Sequence, residues 1–305
     1  MRDLWTEKYR PNDLDGYVFR DQDQRNQVEA WINDGTIPHL LFSGSAGIGK
    51  TTLAKILIKQ LKVNSFDLLE INASREAKVE TMRDKITNFV STMPFGEFKV
   101  VLLDEADYLS AHSQAALRGL METYASSARF ILTCNYPHKI IPALHSRCQG
   151  FHIEKIDQTE FTARIAKILI DEDVDFSIDI LDSYVKATYP DLRKCINNCQ
   201  MNMHDNKLEL PKGNEGNSSE FKLQVVELFK AGDIKGARTV ICNNVRDDEM
   251  EDMYRWMYDN LDLFASSDEE KDKAIVVIRN SLVNHSFVAI PEINLSACLI
   301  ELTTS

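Results

Sequence analysis

The sequence predicts an α/β domain in which helices cover both faces of a parallel sheet, followed by two helical domains. The first observation is a series of near-continuous apolar runs between residues 39 and 154, separated by amphipathic segments. Strands that are buried on both faces have such runs, and the crossover between parallel strands usually contains a helix. The second observation is that this alternation ends near residue 155, after which apolar residues recur at helical spacing.

The α/β domain is expected to span residues 1–154. Its strands are predicted where the apolar runs lie, at 39–43, 66–72, 99–105, 129–135 and 150–154. Its helices are predicted between them, at 50–62, 77–92 and 113–124. Functional residues of such sheets collect at the carboxyl ends of the strands. The polar residues that follow each strand are therefore the first candidates for a site.

A small helical domain is predicted at 155–211, with no further strand in the chain. Asp157 and Glu160 form an N-cap signal for its first helix. Further helices are predicted at 178–188 and at 190–203, the latter beginning with a proline, which is favoured in the first turn.

An all-helical domain is predicted at 212–305. The segment 211–219, which is rich in Pro, Gly, Asn and Ser, is typical of a linker before it. Helices are then predicted at 220–231, 233–243, 247–261, 268–285 and 291–303.

The charge and the cysteines limit the possible function classes. A net charge of −12 argues against a globally basic nucleic-acid-binding protein. The first 152 residues carry 18 basic and 18 acidic residues, however, which leaves room for a basic stripe there. No apolar run reaches the length of a membrane helix, the first residues lack an apolar signal core, and the six cysteines form no Cys-x-x-Cys pair. We therefore expect a cytoplasmic protein with reduced, buried thiols.

A glycine-rich segment follows the first predicted strand and opens a predicted helix. It fits the pattern G-x-x-x-x-G-K-[ST] and reads Gly44-Ser45-Ala46-Gly47-Ile48-Gly49-Lys50-Thr51. Such glycines let backbone N–H groups turn inward around phosphate oxygens, while Lys50 supplies a positive charge and Thr51 a hydroxyl for Mg²⁺. With the adjoining Thr52, this segment is the candidate ATP-binding loop. A chance match in a Gly/Ser-rich turn is the alternative.

Two adjacent carboxylates end the strand predicted at 99–105. Burial of such a pair is unfavourable unless the groups have partners or a function. Asp104 is therefore a candidate Mg²⁺ ligand together with Thr51, and Glu105 is a candidate to orient and polarise the water that attacks the γ-phosphate. The alternative is that the pair only caps a helix.

Three polar residues farther along complete the candidate site. Asn135 ends its predicted strand, where a neutral amide can hold the water or the γ-phosphate; a turn-forming Asn is the alternative. Arg147 lies in a loop and is a candidate arginine finger, which stabilises the charge on a transferring phosphoryl group. Arg193 lies in the first turn of a helix and is a candidate contact to the γ-phosphate of its own subunit, although a solvated residue fits equally well.

Together these motifs resemble those of the AAA+ ATPases and, within them, those of the sliding-clamp loaders of the replication factor C type. The opening motif of the small subunits is similar to Trp5-Thr6-Glu7-Lys8-Tyr9-Arg10-Pro11. The second nucleotide motif, the first sensor and the arginine-finger signature are similar to Asp104-Glu105-Ala106-Asp107, Thr133-Cys134-Asn135 and Ser146-Arg147-Cys148. The second sensor is similar to Pro190-Asp191-Leu192-Arg193-Lys194.

The resemblance implies an AAA+ P-loop domain, a helical lid domain and a helical collar by which subunits form a pentamer. It implies that Tyr9, Arg10 and Pro11 lie against the adenine, and that Arg147 completes the ATP site of a neighbouring subunit. The implied cofactors are ATP and Mg²⁺. The implied partners are a sliding clamp, primer–template DNA contacted through its backbone, and other clamp-loader subunits.

The function implied by the resemblance is an ATP-driven subunit that opens a sliding clamp and loads it on primer–template DNA. One alternative is another AAA+ remodeller, such as a helicase loader or a branch-migration motor. The other is a nucleotide-binding scaffold that does not hydrolyse ATP. The short chain and the sequence of the second sensor resemble the large subunit of a bacteriophage clamp loader, which would act in the host cytoplasm.

The resemblance also suggests contacts beyond the nucleotide. Lys78, Arg83 and Arg118 are candidates for DNA contact or for coupling DNA to catalysis, and Gln114 is a candidate to couple neighbouring sites. The alternative for the basic residues near 75–85 is a salt-bridged surface helix, because acidic residues alternate with them. Candidate clamp contacts are the segment 94–98 and the apolar residues near Tyr108-Leu109.

Overall fold

A computed structural model gives the fold of the chain. It describes residues 4–75, 79–153, 155–210, 220–245, 250–265, 267–285, 287–288 and 290–304. The chain divides into two compact units, Met1–Glu160 and Phe161–Ser305. Among the described residues, no helix is both long enough and apolar enough to cross a bilayer.

Within the described residues of the first unit, five parallel strands form one sheet. They are β1 (Leu40–Ser43), β2 (Leu68–Asn72), β3 (Lys99–Asp104), β4 (Ala128–Cys134) and β5 (Gln149–His152). Their order across the sheet is β2-β3-β4-β1-β5, and every neighbouring pair is parallel. The predicted parallel sheet is confirmed, with strand ends that differ from the prediction by one or two residues.

Helices connect these strands and precede the first of them. They are α1 (Trp5–Lys8), α2 (Gln22–Asn33), α3 (Lys50–Gln60), α4 (Val79–Val90), α5 (Ala111–Thr123) and α6 (Pro142–His145). The predictions at 50–62, 77–92 and 113–124 are confirmed as α3, α4 and α5, whereas α1, α2 and α6 were not predicted. In α2 the buried positions are Val28 and Trp31, which is too sparse a pattern to predict a helix.

The second strand begins later than predicted because a 3₁₀ turn over Ser65–Asp67 precedes it. Asn64 caps this turn by accepting a hydrogen bond from the Phe66 N–H at 3.0 Å. The carboxylate of Asp67 is buried and accepts hydrogen bonds from the backbone N–H groups of Phe95 and Gly96. These polar contacts satisfy the turn and delay the start of the extended backbone.

Hydrophobic clusters cover both faces of the sheet. Along β1, Leu40 and Phe42 belong to one cluster and Leu41 to the other. The same alternation occurs in β3, where Val100 and Leu102 lie on the face opposite Val101 and Leu103. Burial on both faces explains why the strands appear in the sequence as continuous apolar runs.

The register of the central strands brings their carboxyl ends to one level. Leu103 of β3 pairs with Leu132 of β4, and Ser43 of β1 pairs with Cys134 of β4. The residues that follow β1, β3 and β4 therefore lie side by side at one edge of the sheet.

The second unit is mainly helical. Its helices are α7 (Gln158–Asp171, which begins in the first unit), α8 (Ile178–Thr188), α9 (Leu192–Met201), α10 (Glu220–Lys230), α11 (Ile234–Asn244), α12 (Met250–Asp259), α13 (Asp268–His285) and α14 (Pro291–Thr304). All predicted helices of this part are confirmed within three residues. Residues 211–219, predicted as a linker, lie outside the described residues, and the division into domains at 154 and 211 stays a prediction.

The prediction of no strand after residue 155 is wrong. A short antiparallel hairpin pairs β6 (Met203–His204) with β7 (Lys207–Leu208). Asp205 and Asn206 form its turn with positive φ values of 47° and 58°. This is the backbone geometry of a tight two-residue hairpin turn, and Asp and Asn tolerate it better than most residues. Strands of two residues leave no periodic signal in the sequence.

All six cysteines fall in the described part of the chain and are free thiols, five of them buried. Cys195 and Cys199 lie one turn apart on α9, where the hydrogen bond from Cys195 and burial raise the pKa of Cys199. Among the described residues, no group of three or more His, Cys, Asp and Glu side chains is arranged to hold a metal ion.

Candidate functional site

The glycine-rich loop connects β1 to α3 at the carboxyl edge of the sheet. Gly44, Gly47 and Gly49 have positive φ values of 145°, 74° and 96°. A Cβ atom on Gly44 would lie 2.2 Å from the carbonyl oxygen of Ile153, and one on Gly49 would lie 3.0 Å from the ring of Tyr17. Only glycine fits these two positions without rearrangement. The loop therefore turns tightly before the N-terminus of α3, where the first N–H groups of a helix have no partner within the helix and can bind an anion.

Lys50 is the first residue of α3 and lies almost fully buried in the loop. Its ammonium group donates hydrogen bonds to the carbonyl oxygens of Gly44, at 2.9 Å, and Ser45, at 2.6 Å. These bonds hold the charge at the loop. A positive charge and a helix N-terminus at one place favour a polyanion such as a triphosphate.

Asp104 is the point at which three elements meet. One of its carboxylate oxygens, Oδ1, accepts hydrogen bonds from the hydroxyl of Thr51, at 2.7 Å, and from the hydroxyl of Thr133, at 2.5 Å. Thr51 lies on α3 and Thr133 on β4, so the carboxylate links the phosphate loop to the centre of the sheet. The register of β3 and β4 places Thr133 directly beside Asp104. Thr133 was not predicted as a site residue, although strand pairing would have identified it.

The pair formed by Thr51 and Asp104 suits Mg²⁺. This ion prefers hard oxygen ligands and is usually held by one or two protein groups, with phosphate oxygens and water completing its shell. A hydroxyl and a carboxylate oxygen 2.7 Å apart at the edge of an anion-binding loop provide such a pair. The predicted ligands therefore fit the predicted metal.

Glu105 follows β3 in a left-handed backbone conformation, with φ of 57° and ψ of 43°. For a residue with a Cβ atom this conformation is unfavourable by roughly 1 kcal/mol. The N–H group of Glu105 donates a hydrogen bond to the Thr133 hydroxyl at 3.0 Å, which helps to hold the conformation. Backbone strain of this kind is concentrated at functional sites.

A buried carboxylate supports the segment that carries Asn135. Oδ2 of Asp107 accepts hydrogen bonds from the N–H groups of Asn135 and Tyr136, both at 3.1 Å. Among the described residues its other oxygen has no hydrogen-bond partner. Burial raises the pKa of the neighbouring Cys134 to about 12, with a further increase from Asp107 and an opposing effect from Lys50. Through its two hydrogen bonds, Asp107 fixes the backbone at Asn135, which follows β4 at the same edge of the sheet as the loop.

Gln114 lies on α5, is only 1% exposed and connects three segments. Its Nε2 donates hydrogen bonds to the carbonyl oxygens of Leu109 and Lys139, both at 3.0 Å. Its Oε1 accepts a hydrogen bond from the N–H of Ile141 at 2.8 Å. The amide thus ties the segment after Glu105 to the segment that leads from β4 to α6. Its predicted role in coupling neighbouring sites stays a prediction.

Arg147 follows α6 and extends from a well-packed backbone. The neighbouring Cys148 is buried, whereas the Arg147 side chain is 41% exposed. Its guanidinium forms an ion pair with Glu122 of α5, which also accepts a hydrogen bond from Nε of Arg118 at 2.8 Å. The predicted finger is therefore accessible and is held by a carboxylate that the sequence did not indicate.

The described contacts do not test the roles predicted for the remaining residues. Arg193 is exposed in the first turn of α9, in the second compact unit. Arg10 pairs with Glu7 at 2.8 Å, and the described contacts do not test the role of Tyr9, Arg10 and Pro11 at the adenine. Arg83 is exposed on α4, and Lys78 lies outside the described residues.

Comparisons with known proteins agree with this geometry. The family model described as "ATPase family associated with various cellular activities (AAA)" matches residues 40–155, which contain the loop, the acidic pair and Arg147. The replication factor C small subunit of Methanocella arvoryzae is 39% identical over 202 residues, which are 65% of this chain and 62% of that protein. The replication factor C small subunit of Picrophilus torridus is 34% identical over 249 residues, which are 79% of this chain and 78% of that protein. The chain thus covers less than two thirds of the Methanocella relative.

Solved structures show the same fold at low sequence identity. The RuvB Holliday junction branch migration motor of Thermotoga maritima superposes with a TM-score of 0.56 and 15% identity, covering 82% of this chain and 79% of that chain. A second structure of RuvB from the same organism has the same TM-score at 16% identity and covers 95% of this chain and 91% of that chain. At this identity the likeness is one of fold.

Proposed function

Since the chain belongs to the replication factor C small subunit family, we propose that it is an ATP-hydrolysing subunit of a sliding-clamp loader. The observation that carries the proposal is the double hydrogen bond at Asp104, whose Oδ1 joins Thr51 of the phosphate loop to Thr133 beside Glu105. This arrangement supports the proposal because the loop, the candidate metal ligand Asp104 and Glu105, which is proposed to polarise the water, belong to one stretch of the sheet edge.

ATP binding is assigned to the loop from Gly44 to Thr52. The N–H groups of the loop and of the N-terminus of α3 bind the phosphate oxygens, and Lys50 neutralises part of their charge. The adenine is assigned to Tyr9, Arg10 and Pro11 by the family resemblance. Arg193 is assigned to the γ-phosphate of the same subunit on the same basis.

Hydrolysis requires a positioned water and neutralised phosphate charge. Glu105 orients and polarises the water, and Asn135, held through its backbone by Asp107, keeps the water or the γ-phosphate in place. Thr51 and Asp104 hold Mg²⁺, which when bound neutralises charge on the phosphate oxygens. The left-handed backbone of Glu105 supports this role because such strained conformations are concentrated at functional sites.

Assembly is the second part of the proposal. Arg147 completes the ATP site of a neighbouring subunit, so that hydrolysis depends on a ring, which the resemblance suggests is a pentamer. The C-terminal helices are the proposed collar. Exposed apolar side chains on the last two of them support this, namely Val276, Leu282 and Val283 on α13 and Ile293 and Ile300 on α14.

Contacts to the clamp and to DNA are proposed from exposed basic and aromatic side chains. Arg83 and Arg118 are exposed and suit contacts to the phosphate backbone, as does Lys78 by its charge. Phe66 and Phe95 pair on the surface with ring centroids 5.6 Å apart and are 73% and 78% exposed. Phe95 lies in the segment 94–98, which is predicted to meet the clamp, and Phe66 packs against it, so this aromatic pair is the proposed contact. Because the sequence of the second sensor resembles that of the large subunit of a bacteriophage clamp loader, a bacteriophage origin is also part of the proposal.

The test is the ATPase rate of the assembled complex with and without clamp and primed DNA. We expect stimulation by the two together. Retention of the polymerase's sliding clamp on the ATP-bound complex would separate a clamp loader from a helicase loader or branch-migration motor. If clamp is not retained, or if no turnover occurs with all components present, the proposal is wrong.

A further inference from the structure

Glu122 holds two arginine side chains through one carboxylate oxygen. Oε1 accepts a hydrogen bond from Nε of Arg118 at 2.8 Å and forms a short ion pair with Nη2 of Arg147. Arg118 lies one turn earlier on α5, whereas Arg147 comes from the segment after α6. Glu122 therefore connects the predicted finger to a rigid helix and to a second guanidinium.

The backbone at Arg147 is held in place by hydrogen bonds, but these bonds do not restrict the rotamers of its side chain. The N–H groups of Arg147 and Cys148 both donate to the carbonyl oxygen of Leu144 at 3.0 Å, and Leu144 and Cys148 are buried. Beyond the Cα atom, an arginine still has several rotatable bonds and loses up to about 2 kcal/mol of rotamer entropy when it is held in one place. The ion pair with Glu122 restricts this freedom.

Glu122 is well placed to restrict it because its own helix is firmly packed. The adjacent Met121 and Leu117, one turn away, are buried in the core beneath α5. The carboxylate thus projects from a rigid support. The negative charge of the carboxylate reduces the repulsion between the two guanidinium groups. With one negative and two positive charges, the cluster keeps a net positive charge.

We propose that Glu122 is the positioning residue for Arg147, orienting its guanidinium for the triphosphate of the neighbouring subunit. The inference depends on the proposed function, in which Arg147 acts on that neighbour. Removal of Glu122 leaves the finger chemically intact but free to adopt other rotamers and repelled by Arg118. Misplacement of a catalytic group by about 1 Å can lower a rate by up to roughly 100-fold.

If the ion pair between Glu122 and Arg147 only stabilised the fold, its removal would have a different effect on turnover. Side chains of Glu122 and Arg147 are 37% and 41% exposed, and exposed pairs contribute at most about 1 kcal/mol to folding. Loss of the pair should therefore leave folding nearly unchanged. A large effect on turnover without an effect on stability identifies positioning.

The experiment compares Glu122→Gln and Glu122→Ala with the unmodified chain in the assembled complex with clamp and primed DNA. We expect kcat to fall roughly tenfold for Ala and less for Gln, which keeps an acceptor oxygen, while KM for ATP stays unchanged. ATP affinity of the isolated chain and assembly by sedimentation should also stay unchanged. Glu70→Gln is the matched control, because Glu70 forms a similarly exposed pair with Lys55 at 3.0 Å.

A double-mutant cycle with Arg147→Ala separates this inference from the proposed function. We expect Glu122→Ala to cause no further loss of kcat when Arg147 is already absent. Full activity of Arg147→Ala would refute the proposed role in trans itself. Loss of activity in Arg147→Ala with normal kcat in Glu122→Ala would overturn only the positioning role. The positioning role would also be overturned if the double variant lost kcat by the product of the two single losses. It would likewise be overturned if Glu122→Gln prevented assembly, since Glu122 would then support an interface between subunits rather than Arg147.

Discussion

The hydroxyl of Thr51 donates a hydrogen bond of 2.7 Å to Asp104, a residue 53 positions later in the chain. This bond joins the first turn of α3 to the end of β3. Thr133 donates to the same oxygen from β4, so these two hydrogen bonds fix the phosphate loop and the acidic pair relative to each other. Such preorganisation is what electrostatic catalysis of phosphoryl transfer requires.

Loss of the Thr51 hydroxyl should remove a metal ligand. We expect Thr51→Val to lower kcat by about 100-fold, whereas Thr51→Ser, which keeps the hydroxyl, should retain most of the activity. ATPase rates measured across a range of Mg²⁺ concentrations test this. Equal activity of the Val and Ser variants at all Mg²⁺ concentrations would contradict the metal assignment.

Glu105→Gln should separate ATP binding from hydrolysis. The amide keeps the size of the side chain but has no charge with which to polarise water, so turnover should fall at least about 100-fold. Nucleotide affinity and the thermal midpoint should remain within error of the unmodified protein, because the Glu105 backbone keeps its bond to Thr133. Undiminished turnover would favour the scaffold alternative.

Gln114→Leu should destabilise the first unit. The change leaves the carbonyl oxygens of Leu109 and Lys139 and the N–H of Ile141 without this partner. We expect the free energy of unfolding to fall by about 2 kcal/mol or more, measured by urea denaturation. Gln22→Leu on the exposed face of α2 is the control and should stay within about 0.5 kcal/mol. Equal stability of both variants would show that the buried amide network contributes nothing.

Buried thiols should make folding sensitive to alkaline pH. Burial raises the pKa of Cys134 and of Cys148 from 9.0 to about 12 in the folded chain. Because the pKa of each thiol is higher in the folded than in the unfolded chain, the thiols do not reduce the free energy of unfolding below pH 9. Between pH 9 and about pH 12 the unfolded chain loses these protons more readily, so the free energy of unfolding falls as the pH rises. The slope is at most about 1.4 kcal/mol per pH unit for each thiol. Urea denaturation at pH 8, 9 and 10 should show a shallower slope for Cys134→Ala; an unchanged slope would exclude this thiol as a source.

A charge on the apolar surface of the last two helices should prevent assembly. Val283 on α13 and Ile293 on α14 are 53% and 64% exposed. We expect Val283→Asp and Ile293→Asp to yield monomers in sedimentation, with ATP binding by the isolated chain retained, because a buried charge at an interface is strongly unfavourable. Ile170→Asp on α7, which is equally exposed, is the control. Normal assembly of both collar variants would remove this surface from the proposed interface.

The sheet could be predicted from the sequence because its strands are buried on both faces. Leu40 to Ser43 and Lys99 to Leu103 are buried along their whole length, which leaves an uninterrupted apolar signal. The longer helices in which apolar residues recur at helical spacing were predicted as well. The four-residue helices α1 and α6, the polar α2 and the hairpin at Asp205 were not, because short or sparsely buried elements have too little periodicity.

By itself, the sequence determined which chemistry is present: a glycine loop with a lysine and a threonine, an acidic pair at a strand end, and an arginine in a loop. Only the tertiary structure decided which groups meet. Thr133 reaches Asp104 because β3 and β4 pair in one particular register, and Glu122 reaches Arg147 because α5 packs beside the segment after α6. Local spacing encodes the residues of one loop or helix face, whereas contacts between distant segments depend on strand register and helix packing, which no single stretch of sequence contains.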